Sequence, residues 1–209
     1  MLSTEPGPNR WMLGFKEAVL SSFRFLGDFG LRAVDEQVTF VRYESPKVFV
    51  NVYHGRASYE LGVEIGRLEE PTKKLTIFSI VRWAGAEKAE GFGQHVIFQV
   101  SSAEGVQEFV PKLGALVKKY AAPLLRGDES AYDSAFEFQA RQYADEVKQM
   151  NLAVLRSKAA AAWRSKDYAQ IVELYDQVRD DLTVVESKKL AYAEQQVLAV
   201  GPRQVPRKR

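Results

Sequence analysis

The chain has 209 residues, 46% hydrophobic and 27% charged, the proportions of a globular protein that can bury a core of its own. It has no cysteine, which excludes disulfides, thiolate nucleophiles, iron–sulfur clusters and cysteine-bound zinc. The formal charge is +2, but Arg203, Arg207, Lys208 and Arg209 carry four positive charges at the end, leaving residues 1–202 at −2 and without a basic groove for nucleic acid.

Pro6 and Pro8 mark a loose start, and MLSTEPGPNRWMLGF lacks the basic-then-apolar order of a signal peptide. No apolar run approaches the ~20 residues of a membrane helix, so the expectation is a cytoplasmic protein without membrane attachment. Leu13, Phe15, Val19, Leu20, Phe23 and Leu26 recur at helical spacing and predict one helix over residues 11–30, ended by Gly27, Asp28 and Gly30. From Leu31 to Leu68 the period changes to two, with turn signals at Ser45-Pro46 and His54-Gly55, which predicts an antiparallel meander. Residues 75–93 read as a short helix and a glycine-punctuated loop, and residues 95–100, HVIFQV, as a further strand, for three to five strands in all.

SSAE at 101–104 fits a capping box, and Val106, Phe109, Val110, Leu113, Val117, Tyr120 and Leu124 keep a helical stripe that Pro111 is expected to kink or divide. After Arg126-Gly127-Asp128, the residues Tyr132, Phe136, Tyr143, Val147, Met150 and Val154 predict a long helix, and the stripe reads as core that holds the sheet to the helices. Ala159, Ala162, a turn at Lys166-Asp167-Tyr168, and Ile171 with Tyr175 then predict a helical hairpin at 159–178. This segment resembles one hairpin of the tetratricopeptide repeat family, whose stacked repeats form peptide-binding surfaces. A single copy implies packing and no peptide receptor. TVVE at 183–186 caps a third helix through about Leu198, and GPRQVPRKR reads as a disordered basic tail.

The fold class is therefore α+β, with an α+β domain at 1–127, a helical extension packed on it at 128–200 and the tail at 201–209. This order, with RYES at 42–45 and KKYAAPLLRGD at 118–128, also resembles small uncharacterised bacterial α+β proteins, some of them toxin-associated. That resemblance implies an immunity-like inhibitor.

The segment RYESPKVFVNVYHGRASYELGVEIG, residues 42–66, crowds charged residues and His54 into β structure, so its register decides whether chemistry is possible there. A turn at Ser45-Pro46 sets Tyr43 opposite Val48 and Arg42 opposite Phe49. A four-residue loop, GRAS at 55–58, sets Tyr53 opposite Glu60 and Phe49 opposite Glu64, because a five-residue loop would bring Glu60 and Glu64 into the core at the cost of buried charge. One face then holds Val41, Tyr43, Val48, Val50, Val52, Leu61, Val63 and Ile65, with His54 at its end beside Tyr59. His54 and the glutamates point to opposite sides, so no base and orienting carboxylate can meet. The second face collects Phe40, Arg42, Lys47, Phe49, Asn51, Tyr53, Glu60 and Glu64. Aromatics with arginine are the composition of interface anchors, and the candidate partner-binding residues are Phe40, Arg42, Phe49, Asn51, Tyr53, Glu60 and Glu64, with Phe49 as the exposed centre.

No phosphate loop, GxGxxG or GxSxG occurs, so no cofactor and no catalytic residue is expected. Asp180, Asp181 and Glu186 could form an acidic metal site, but carboxylates at a helix start are ordinarily caps. The expected function is a non-catalytic protein that binds another protein. The alternatives are a metal-dependent hydrolase or nuclease with an acidic site, and an accessory nucleic-acid binder acting through the tail.

Overall fold

The apolar residues between 11 and 30 do not share one helix. In the computed structural model, which describes residues 10–55, 58–86 and 98–200, a 3-10 turn at Arg10–Leu13 is followed by α1, Phe15–Ser22, and by a 3-10 segment at Arg24–Phe29. Leu13 and Phe15 lie two positions apart, which places them on nearly opposite sides of a straight helix. Gly14, at φ 64°, turns the chain between them, so Leu13, Phe15, Val19, Phe23 and Leu26 are all buried.

The meander forms as β1 (Arg32–Gln37), β2 (Phe40–Glu44), β3 (Val48–His54) and β4 (Glu60–Arg67), each antiparallel to its neighbour. A strand that the period did not predict, β5 (Lys74–Thr76), pairs with Glu64–Gly66 of β4. The two-residue strand β6 (Phe98–Gln99) pairs with Glu60 and Leu61 farther along the same edge. The rest of the strand predicted at 95–100 lies outside the described residues, as does His95.

Both hairpin registers differ from expectation by two positions. Tyr43 faces Val50 and Arg42 faces Asn51, while Asn51 faces Glu64 and Tyr53 faces Gly62. The first loop runs from Ser45 to Val48, closed by the Ser45 N–H on the Val48 carbonyl at 2.9 Å, and the second takes two residues more than GRAS. A slip of two keeps every side chain on its face, so the predicted core face survives: Val41, Tyr43, Val48, Val50, Val52, Leu61, Val63 and Ile65 are all buried.

Helices α2 (Ile77–Trp83), α3 (Ala103–Tyr120) and α4 (Ala122–Leu125) pack with α1 on that face. Thr76 caps α2, its hydroxyl accepting from the Ser79 amide at 3.1 Å. The α3 cap is Ser102, which accepts from the Gly105 amide at 3.2 Å, one residue later than the predicted box. Pro111 does not divide α3; it sits on the exposed side, where carbonyls without a helical partner are hydrated, while Val106, Val110, Leu113 and Val117 hold the buried side. Each fully buried aliphatic side chain stabilises by roughly 1.5–3 kcal/mol before entropy is counted, which is why this stripe outweighs one missing helix bond.

The long helix α5, Glu129–Ser165, extends past the first of two units: residues 1–140 form one and residues 141–209 the other. The division falls inside α5 and not at the Arg126–Asp128 turn. In the first unit, Tyr132 and Ala135 of α5 join the sheet core. In the second, the end of α5, α6 (Tyr168–Asp176) and α7 (Val184–Val200) enclose a small core of Ala159, Ala162, Ile171, Tyr175, Leu190 and Ala193. The hairpin thus closes on the small and aromatic residues that its spacing indicated, with Lys166 at φ 58° in the turn and Asp167 capping α6 through the Gln170 amide at 3.1 Å. The tail at 201–209 lies outside the described residues.

Candidate functional site

The predicted partner face is the side of the sheet away from the core, and its centre is a polar row. Arg42, Asn51, Glu64 and Thr76 are successive cross-strand partners on β2, β3, β4 and β5. Arg42 donates to Asn51 Oδ1 at 3.1 Å, and the Asn51 side-chain amide, through Nδ2, donates to Glu64 at 3.3 Å. Arg42 also donates to Glu44 at 2.6 Å, and Lys74 donates to Glu64 at 2.9 Å. The two charges of the row are thus balanced by neighbours beside it, Arg42 by Glu44 and Glu64 by Lys74, and cross-strand contacts such as Arg42 to Asn51 contribute roughly 0.2–1 kcal/mol each.

An aromatic lies on either side of this row, and each has a glycine as its cross-strand partner: Tyr53 faces Gly62 and Phe49 faces Gly66. A Cβ on Gly62 would stand 2.3 Å from Tyr53 Cζ, and one on Gly66 would stand 2.5 Å from Phe49 Cζ, so both rings lie across bare backbone. The Arg42 guanidinium carbon stands 4.3 Å above the Phe49 ring.

Phe49 is therefore 0% exposed, and Asn51 is 6% exposed. This corrects the expectation that Phe49 is a free anchor: β4 supplies a glycine beneath the ring and β2 an arginine above it. Phe40, Arg42, Tyr53, Glu60 and Glu64 are half-buried, and Glu60 faces Gln99 instead of Tyr53. The Tyr53 hydroxyl is held above the ordinary tyrosine range by burial, with Glu64 and Glu60 adding to the shift.

His54 lies on the other face, as the parity of the strands requires. It is 2% exposed, stacked on Phe15 at 5.8 Å, with Nε2 2.7 Å from the Val100 carbonyl oxygen. Strand parity places His54 and the carboxylates of Glu60 and Glu64 on opposite faces of the sheet.

Two of the three acidic residues considered for metal, Asp181 and Glu186, are committed to other partners. Asp181 pairs with Lys148 at 2.6 Å. Glu186 closes the predicted capping box of α7: its carboxylate accepts from the Thr183 amide at 2.8 Å, and its own amide donates to the Thr183 hydroxyl at 3.2 Å. Arg156 adds two donors to the same carboxylate at 2.8 and 3.3 Å. Among the described residues, no group of three or more His, Asp or Glu side chains could hold a metal ion.

Burial alone would raise the Glu186 carboxyl, but the bonds from Thr183 and Arg156 outweigh it and hold the group below the ordinary value of 4.5. Because the folded value lies below the unfolded one, the stabilisation is present above about pH 4.5 and is lost as pH falls through the folded value. Glu186→Ala is expected to speed amide exchange in α7 at pH 7, by a loss of about 2 kcal/mol. The gap from the wild type should narrow as the solution is acidified. A gap unchanged between pH 7 and pH 3 would rule out the carboxylate as its source.

Sequence spacing missed a second surface. Of the eleven large hydrophobic side chains that are exposed among the described residues, only Met12 and Val34 lie in the first unit; the other nine lie in the second. Tyr143, Val147, Met150 and Val154, expected in the core, are 69%, 36%, 66% and 51% exposed. The reason lies in α5, which carries two apolar stripes. Leu155, Ala159 and Ala162 pack in the small core and Leu152 is buried, while the first stripe looks the other way, because Met150 and Leu152 are about 200° apart on a helix. Beside the exposed stripe runs a groove of about 700 Å³, floored by Leu152, Leu155, Leu174 and Val178 and edged by Val147 and Val154.

No helix among the described residues is long and apolar enough to cross a membrane. Comparison with protein-family models, with curated proteins and with solved structures finds no match to this chain.

Proposed function

We propose that the chain is a non-catalytic protein-binding protein and that it binds through its helical unit. The observation that carries this reading is the exposed row of Tyr143, Val147, Met150 and Val154 beside a groove. Exposed apolar side chains are ordinary when scattered, whereas four in line on one helix face form the kind of patch that interfaces cover. The sheet face supports the reading less, because its most apolar residue, Phe49, is already covered and its central charges, Arg42 and Glu64, are already paired.

A photo-crosslinking residue placed at Met150, and in a second variant at Tyr53, tests the choice of surface. In a native lysate, position 150 is expected to give a discrete protein adduct and position 53 none. Adducts from position 53 alone would return the interface to the sheet. No protein adduct at either position would remove the reading.

A further inference from the structure

Charge is unevenly spread over the helical unit. Residues 157–168 and 187–200, where α5 ends and α7 runs past the turn into α6, hold five Lys and Arg against two Asp and Glu, a net +3. The rest of residues 141–200 holds four against seven, a net −3. A sum of zero thus hides one basic and one acidic end, the asymmetry that marks a contact with polyanions. The five cations are Lys158, Arg164, Lys166, Lys188 and Lys189, and none of them has an ion pair among the described residues. Of the two acids, Glu194 is held by Arg179 at 2.7 Å and Asp167 caps α6. Arg156 meets Glu186 and Trp163 meets Tyr192, so α7 runs in the direction of α5 and finishes at the basic end. Residues 201–209 follow it and add Arg203, Arg207, Lys208 and Arg209.

Three aromatic rings stand among these cations, one from each helix. Trp163 of α5, Tyr168 of α6 and Tyr192 of α7 have centroids 5.7–6.2 Å apart and lie at 59–78° to one another. Tyr192 is 44% exposed and the other two are partly exposed. The Lys189 ammonium stands 5.3 Å from the Trp163 ring centroid, and Lys188 and Lys189 come one turn before Tyr192, as its neighbours on the helix surface.

We infer that this end of the helical unit binds an unpaired strand of nucleic acid, with bases stacked on Tyr192 and Trp163 and phosphates against the lysines and the basic terminus. The stripe from Tyr143 to Val154 takes no part in it. Cations alone would suit any polyanion, and rings alone any apolar partner. A strand with splayed bases presents a flat π face and a negative charge at every repeat, which is the combination these residues match. A duplex keeps its bases stacked on one another and offers the rings nothing but phosphate and sugar. An anionic membrane needs apolar side chains that reach into the acyl boundary, whereas Trp163 and Tyr168 are packed against the small core.

Fluorescence anisotropy of a labelled oligo(dT) about 12 nucleotides long, with the purified full-length chain, tests this at about 50 and 200 mM salt. Far-UV circular dichroism checks folding. The wild type is expected to bind and to lose affinity roughly 20- to 50-fold between the two salts, the loss for three or four engaged phosphates. Tyr192→Leu should weaken binding at least about fivefold, the lower end of what one stacked base contributes, and leave the salt dependence as it was. Lys188→Glu, at an exposed position, should weaken binding and flatten the salt dependence. Replacing Arg203, Arg207, Lys208 and Arg209 by Gln in the full chain should flatten it further.

No binding at the lower salt with about 100 μM protein overturns the inference. Affinity that Tyr192→Leu leaves within about twofold of the wild type also overturns it, since charge alone would then make the contact. Equal or tighter binding of a duplex of the same length, or of vesicles containing phosphatidylserine, overturns it as well, because neither offers an unstacked base. The crosslinking result at Met150 decides the protein-binding reading separately, whichever of these is found.

Discussion

Val50→Asp will unfold the sheet unit, and Phe49→Ala, one residue away on the opposite face, will cost it about 3–5 kcal/mol. Val50 is 0% exposed and lies between Tyr43 and Ile65 in the ladder, so an aspartate there meets no donor and must either be buried without a partner or open the sheet. Against a total stability of about 5–15 kcal/mol, that cost is decisive. Phe49 is equally inaccessible but for another reason: its ring fills the space across Gly66 and beneath Arg42. Truncation would leave a hollow on the polar face and free the guanidinium that the ring supports. Urea denaturation of both variants checks the pair. A Phe49→Ala midpoint equal to that of the wild type would mean that the ring is dispensable and that this face is an ordinary solvated surface.

How far the fold can be read from the sequence is clearest in the same hairpins. Alternation along β2, β3 and β4 assigns each side chain to a face, and an error of two positions leaves that assignment intact. Cross-strand partners depend on loop length instead, so a four-residue loop predicts Glu64 opposite Phe49, whereas the neighbour is Gly66. A phenylalanine opposite a glutamate reads as a half-solvated pair, whereas one opposite a glycine can lie flat on the strand. The burial of Phe49 was therefore illegible until the loop was known. The hairpin at 159–178 was legible because its small residues, Ala159 and Ala162, leave room for Ile171 and Tyr175 to pack against the first helix. The stripe from Tyr143 to Val154 was legible as helix but not as surface, since spacing fixes which residues share a face and says nothing of which face is covered. The predicted helix at 11–30 failed through Gly14, whose positive φ turns the chain inside an otherwise periodic run.

Gly66→Ala will be the most damaging single-methyl change on the sheet, at about 3 kcal/mol, while Gly62→Ala will cost about 1 kcal/mol. At both positions the new Cβ strikes an aromatic ring: 2.5 Å from Phe49 Cζ at Gly66, and 2.3 Å from Tyr53 Cζ at Gly62. Distance alone ranks Gly62 as the worse clash. The ranking reverses because of what can yield. Tyr53 is half-buried, so its ring can swing outward, and alanine's smaller loss of chain entropy on folding offsets part of the cost. Phe49 is fully buried under Arg42, and the Gly66 Cβ would also stand 2.8 Å from the Lys73 carbonyl oxygen, a backbone atom held by the β4–β5 pairing. Relief there requires β5 to move. The double variant Phe49→Ala with Gly66→Ala separates the two contributions, since removing the ring clears one side of the new methyl group. Its loss of stability in urea should fall short of the sum of the single losses by at least about 1 kcal/mol, the coupling expected of residues in contact. Strict additivity would mean that the ring does not rest on Gly66, and the explanation for the burial of Phe49 would fail with it.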